Sequence, residues 1–278
     1  MNKDKLTQLC HRLSKETGLS FNSVMTYYFL ERLLERISSS RYRDNFIFKD
    51  GFILSNIVGV QTRTTVDIDM LLNNIEFTKE RILEILVEIL KDAEGSVISY
   101  EIIDVETIKE VDEYSGYRVK VLCRFENIRQ IVPLDIATGD AVTPHPINYS
   151  FISIFNVENI LIKAYPIETM ISEKIHTIFE KSYLNSRSKD YYDLHIIYTL
   201  RRKDIDGEIL KSACNRTFST RETVFEPYKI LEFLSDIKFD DVFSGRWDSY
   251  VKKNSYAQEV SFSSVIDSAI SLLKMMSE

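Results

Sequence analysis

Lys49-Asp50-Gly51, followed after an apolar run by Arg63-Thr64-Thr65-Val66-Asp67-Ile68-Asp69, is the stretch whose reading decides the fold. Phe46-Ile47-Phe48 ahead of it is extended and apolar, residues 52–58 follow a helical apolar pattern ended by Gly59, and residues 66–72 read as a buried strand. The predicted order is strand, glycine turn, helix, strand. Side chains two apart on a strand project from one face, so Asp67 and Asp69 present paired oxygens while Ile68 packs the other way. Such a pair suits Mg²⁺, which takes one or two protein carboxylates together with substrate phosphates. Gly51 allows close backbone approach at a helix start, where free N–H groups favour phosphate. Arg63, Thr64 and Thr65 add a cation and two hydroxyls just ahead of the acids. Each feature alone has a plain alternative: surface acids on an edge strand, a simple turn, a surface ion pair.

Further along, residues 117–125 alternate cleanly, with Tyr117, Val119, Val121, Cys123 and Phe125 on one face and Arg118, Lys120 and Arg124 on the other. Residues 131–136 form a further strand, Ile131-Val132-Pro133-Leu134-Asp135-Ile136. A carboxylate buried among such neighbours is costly unless a metal or a donor satisfies it. Asp135 is therefore expected to complete a three-carboxylate set with Asp67 and Asp69, holding the metal that activates an attacking hydroxyl while the pair holds the metal on the triphosphate. The plain alternative is an acid at a strand end bonded to the next turn.

Upstream, residues 4–38 carry apolar residues at helical spacing and predict two or three short helices. Residues 77–92 predict an amphipathic helix with Glu80, Glu84 and Glu88 opposite Ile82, Ile85, Leu86 and Ile89. Gly139, Pro144, Pro146 and Pro166 mark turn chemistry, and after residue 167 the pattern is almost wholly helical. The expected division is a nucleotide-handling lobe over residues 1–155 and a helical lobe over residues 156–278. In the second lobe, Glu173 and Lys174 lie on a helix whose stripe is Met170, Ile171, Ile175, Ile178 and Phe179. Lys174 borders that stripe, where it either reaches a phosphate or snorkels to solvent. In Asn185-Ser186-Arg187-Ser188-Lys189-Asp190-Tyr191-Tyr192-Asp193-Leu194, Asp190 and Asp193 share a helix face, with Arg187 and Lys189 at the helix start.

With 44% hydrophobic and 28% charged residues, the 278-residue chain has the composition of an ordered protein with a sizeable core. Its net charge of −7 is concentrated, since residues 67–114 hold fourteen acids against four Lys or Arg, so global charge decides little about partners. Cys10, Cys123 and Cys214 are an odd, scattered set without metal-ligand spacing, which fits a reducing cytoplasm. The four histidines form no HExxH, and no GxSxG elbow supports a hydrolase triad. No apolar run is long enough to span a bilayer, so a soluble cytoplasmic protein is expected.

In order and spacing these motifs resemble the nucleotidyltransferase toxins of the AbiEii/AbiGii family of abortive-infection and toxin–antitoxin systems. The resemblance rests on Glu31-Arg32-Leu33-Leu34-Glu35-Arg36-Ile37, the 63–69 stretch, Tyr165-Pro166-Ile167-Glu168-Thr169 leading to Ser172-Glu173-Lys174, and the 185–194 block. It implies an α+β fold like that of DNA polymerase β nucleotidyltransferases, with a small mixed sheet, flanking helices and an all-helical lobe closing the cleft. It assigns Asp67 and Asp69 to metal binding, Lys174 to the basic position of the later motif and Asp190 to its acid, with Asp193 a weaker match. One departure is plain: the turn usually reads Lys-Gly-Gly, or Gly-Ser in other branches, and here Asp50 replaces the first glycine. The implied activity is Mg²⁺-dependent transfer of a nucleoside monophosphate from an NTP to an RNA 3′ end, with tRNA the expected acceptor, as in related toxins whose products cannot be aminoacylated. A cognate antitoxin is implied that need not contact the toxin. The other readings are a protein-nucleotidylating enzyme and an NTP-binding module without transfer.

Overall fold

In a computed structural model of the chain, which describes residues 2–62, 65, 67–91, 96–109, 115–155 and 158–277, the N-terminal pattern resolves into two long helices. The first, α1 (Lys3–Thr17), is capped by the Asn2 side chain and stopped by Gly18 in the left-handed conformation, φ 74°. The second, α2 (Phe21–Ser38), starts at the Ser20 cap and buries nearly every side chain from Val24 to Leu34. The chain then forms β1 (Phe46–Lys49), α3 (Asp50–Val58), β2 (Ile68–Leu72) and α4 (Lys79–Leu90). The remaining strands are β3 (Ile98–Lys109), β4 (Ser115–Phe125), β5 (Ile128–Ala137), β6 (Ile147–Phe151) and β7 (Ile160–Ala164).

These elements make a mixed sheet of seven strands in the order β3-β4-β5-β2-β1-β7-β6, parallel at β2–β5 and β1–β7 and antiparallel elsewhere. The α+β class is as expected, but the sheet is larger than the small one anticipated. Two effects hid the extra strands. In β3, Glu101, Asp104 and Glu106 pair with Arg124 and Lys120 of β4, so cross-strand ion pairs take the place of a clean apolar alternation. β6 and β7 lie between Pro146 and Pro166, where turn composition dominated. Helix α2 packs on β5 and β7, α4 on β3, and α3 on β1 and β2. The buried face of β4 and β5 consists of Val119, Val121, Cys123, Phe125, Val132, Leu134 and Ile136. A two-residue turn at Glu126-Asn127 joins β4 to β5, with Glu126 at φ 52°.

The chain divides into two compact units, Met1–Gly139 with Ile147–Ala164, and Asp140–Pro146 with Tyr165–Glu278. The short segment joins the second unit through hydrogen bonds: Thr169 Oγ1 both accepts from the Thr143 N–H and donates to the Thr143 carbonyl, each at 2.9 Å, and the Tyr165 hydroxyl donates to Asp140. The second unit is helical, with α5 (Ile167–Lys181), α6 (Ser188–Arg201), α7 (Gly207–Thr220), α8 (Pro227–Ile237), α9 (Asp241–Lys253) and α10 (Phe262–Met275). Helix α5 packs against α6 and α7, and α6 against α10 and α9. Gly207 begins α7 where a Cβ would come within 2.2 Å of the Met275 carbonyl oxygen, so only glycine fits that approach.

Glu31 on α2 is fully buried in the first unit. Its carboxylate is bonded to the Ser153 hydroxyl and accepts the Ile154 N–H at 2.9 Å, pinning the segment after β6 to α2. Burial pushes its pKa from 4.5 up to about 7, against the lowering effect of those two hydrogen bonds. The folded protein thus keeps a proton that the unfolded chain loses near 4.5, so stability falls as pH rises through the window from 4.5 to 7 and is level above it. Glu31→Gln, which cannot ionise, is expected to remove on the order of 1–3 kcal/mol of the stability lost between pH 5 and pH 8. Urea unfolding at the two pH values measures this, and an unchanged pH dependence would reject the assignment.

Candidate functional site

Strand β1 delivers the chain into α3 at Lys49, and the sheet register decides what lies beside that junction. Lys49 is opposite Asp69 of β2, Asp69 is opposite Asp135 of β5, Asp135 is opposite Arg118 of β4, and Arg118 is opposite Glu106 of β3. Laterally opposed residues share a face. Five strands therefore set lysine, two aspartates, arginine and glutamate in one row, with neighbouring strands about 4.8 Å apart. Strand β2 begins at Ile68, so Asp69 lies in the strand and Asp67 just before it, rather than both within it; both are half-buried.

Asp135 differs from its expected environment. Strand β5 is two-faced: Val132, Leu134 and Ile136 point into the core, while Ile131, Pro133 and Asp135 lie on the more open side. Its carboxylate is already satisfied, because Arg118 donates from Nε to one oxygen at 2.7 Å and from a terminal nitrogen to the other at 2.5 Å. The arginine's affinity for its proton is raised by this hydrogen-bonded pair and, more weakly, by the charges of Asp67 and Asp69. Among the described residues, no group of three or more His, Cys, Asp or Glu is gathered closely enough to hold a metal. Asp67 and Asp69 supply two hard oxygen donors, a set that fits one Mg²⁺ completed by phosphate oxygens. Asp135 could join a second ion only by exchanging Arg118.

Gly51 lies in the first turn of α3, whose start offers backbone N–H groups one strand away from Asp69. Asp50, in place of the usual glycine, has φ 53°, a left-handed conformation that aspartate tolerates better than most side chains. Its carboxylate lies 3.9 Å from Lys49 Nζ, which offsets the repulsion an added acid would exert on a triphosphate. Thr65 is buried, and its N–H donates to the Tyr27 hydroxyl, which also meets Ser55 of α3. Arg63 falls outside the described residues, as do Thr64 and Val66.

In the second unit, Lys174, Arg187, Asp190 and Asp193 form one cluster. Lys174 Nζ donates to Asp193 at 2.8 Å and lies 3.7 Å from Asp190, which also receives Arg187 Nε at 2.7 Å. The Lys174, Asp190 and Asp193 side chains are 5%, 2% and 0% exposed, whereas Arg187 is 47% exposed. Lys174 therefore does not snorkel; its ammonium ends inside the unit between two carboxylates. Nor does Asp190 cap α6: it lies in the first turn, and the N-cap position, Arg187, makes no side-chain cap hydrogen bond. Lys189, beside them in the first turn, is half-buried. A buried ammonium between two carboxylates is held by both, so removing any one of the three leaves a charge without compensation.

Two charged groups were not anticipated as site residues. Arg118 could have been found by counting from the turn, since it lies seven positions before Phe125 and Asp135 lies seven after Ile128, the pair that closes the hairpin. Arg221, 3.5 Å from Asp140 and 3.4 Å from Glu173, has no such local signal because its partners come from distant segments.

The family model for the nucleotidyltransferase AbiEii toxin of type IV toxin–antitoxin systems matches residues 32–268. Among solved structures, JHP933 from Helicobacter pylori is similar with a TM-score of 0.54 and 13% identity, covering 93% of each chain. A second H. pylori structure, provisionally described as a nucleotidyltransferase, is similar with a TM-score of 0.51 and 15% identity over 93% of this chain and 96% of that one. At such identities the likeness is one of fold. No curated protein matches significantly.

The buried cluster has a stability consequence that a surface lysine would not. Lys174→Met would leave Asp190 and Asp193 facing each other with the cation removed, which is expected to cost about 3 kcal/mol. Adding Asp193→Asn should recover part of that loss. Thermal melts of the single and double variants check this, and a wild-type melting temperature for Lys174→Met would contradict the buried pairing.

Proposed function

Because the chain belongs to the AbiEii family of nucleotidyltransferase toxins, we propose that it transfers a nucleoside monophosphate from an NTP to an RNA 3′ hydroxyl, with tRNA as acceptor and pyrophosphate released. The observation that carries this reading is the lateral row Lys49, Asp69, Asp135 and Arg118, with Asp67 and the start of α3 beside it. Asp67 and Asp69 would hold Mg²⁺, which when bound supplies charge neutralisation on the triphosphate. The α3 N–H groups at Gly51 and the Lys49 ammonium bind phosphate oxygens. In the second unit, Asp193 and Asp190 hold the Lys174 ammonium in place, and Arg187 and Lys189 extend the positive charge at the start of α6, a cluster that we assign, within that unit, to contact with an anionic substrate group. No helix among the described residues is long and apolar enough to cross a membrane.

Protein incubated with Mg²⁺, each α-labelled NTP in turn and total tRNA is expected to label tRNA with at least one nucleotide. Asp69→Asn should lower the transfer rate by about a hundredfold or more with an unchanged melting temperature, because it removes charge and keeps shape. Label appearing on protein would favour the protein-nucleotidylating reading. Binding of NTP without transfer to any acceptor would favour the binding module.

A further inference from the structure

Arg118 has two acidic neighbours in the lateral row, Asp135 on one side and Glu106 on the other, and it bonds the first. Glu106 is taken instead by Lys120 at 2.6 Å. The guanidinium thus occupies both oxygens of the carboxylate next to Asp69. The two partners differ in freedom: Asp135 is 16% exposed and held on a central strand, whereas Arg118 is 42% exposed at the end of a long flexible stem. A guanidinium on both oxygens blocks the lone pairs that face it and repels a divalent ion approaching the same group. The charges of Asp67 and Asp69 also reach Arg118, so it lies within the field of all three acids.

Resting on the nucleotidyl-transfer reading, we infer that Arg118 is the counter-ion that controls whether a divalent cation can use Asp135. With Arg118 in place, the site takes one ion at Asp67 and Asp69. Asp135 becomes a ligand only when Arg118 releases it, as it would on moving to a competing polyphosphate anion. Arg118 is in this sense a positioning residue that couples nucleotide binding to the completion of the acidic site.

The test is Mn²⁺ binding followed by electron paramagnetic resonance and calorimetry, without nucleotide, on the full chain. Arg118→Met is expected to bind Mn²⁺ about tenfold more tightly, or to take up a second ion, as a competitor is removed. Asp135→Asn alone should change Mn²⁺ binding little, and the double variant should return to wild-type affinity. Arg118→Lys, which keeps a cation without the bidentate fork, should fall between wild type and Arg118→Met, and it carries the test if Arg118→Met fails to fold. Unchanged Mn²⁺ binding in the folded Arg118 variants overturns the inference. A gain that persists in the double variant does so too, because it would reflect loss of a nearby positive charge rather than release of Asp135. Asp69→Asn reports separately on the underlying reading: if Mn²⁺ binding survives that change, the Asp67 and Asp69 site is wrong whatever Arg118 does.

Discussion

Lateral register across the sheet is the constraint on which the candidate site depends. Side chains on a strand alternate faces with a period of two, so a one-residue slip in any strand would turn its whole polar set toward the core. The slip is prevented from the other side, where Val119, Val121, Val132, Leu134 and Ile136 are fully buried. The apolar face thus sets the position of the charged one. Lys49, Asp69, Asp135 and Arg118 come into line because their neighbours in sequence are packed beneath α2 and the other helices.

Charges so aligned are largely satisfied by one another. Arg118 holds Asp135, Lys120 holds Asp104 and Glu106, and in the second unit Lys174 holds Asp193 and Asp190. The two settings differ in what such pairing means. On the half-exposed sheet face, solvent screens the pairs, and an ion or nucleotide can exchange with them at small cost. Around Lys174 the side chains are buried, so loss of one partner leaves a charge without compensation and is felt as instability as well as altered chemistry. Activity losses from substitutions at Lys174, Asp190 or Asp193 therefore need a stability measurement beside them before they are read as chemical roles.

Glu31 shows the same economy used for anchoring. A buried carboxylate bonded to the Ser153 hydroxyl and the Ile154 N–H ties the segment after β6 to α2, and its raised pKa is the cost of burial showing through. It lies in the 31–37 block that first suggested the family, yet its structural part is to hold backbone, with no place in the charged row.

The amino-acid sequence by itself determined the local elements whose signal is short-range: α4 with its Ile82, Ile85, Leu86 and Ile89 stripe, the alternation of β4, the helical character after residue 167, and the β1–α3 junction at Asp50-Gly51. The order of its motifs also pointed to the family. Strands β3, β6 and β7 escaped because their stabilising partners are on other strands, ion pairs in one case and a proline-flanked edge in the others. Only the tertiary structure decided what each charged residue faces. Asp135 looked buried among apolar neighbours because periodicity does not say which side of a strand is covered, and Lys174 looked like a residue at the margin of a stripe because its carboxylate partners lie on the next helix. Burial and ion pairing are properties of segments brought together from afar, and a linear pattern records only one side of each such meeting.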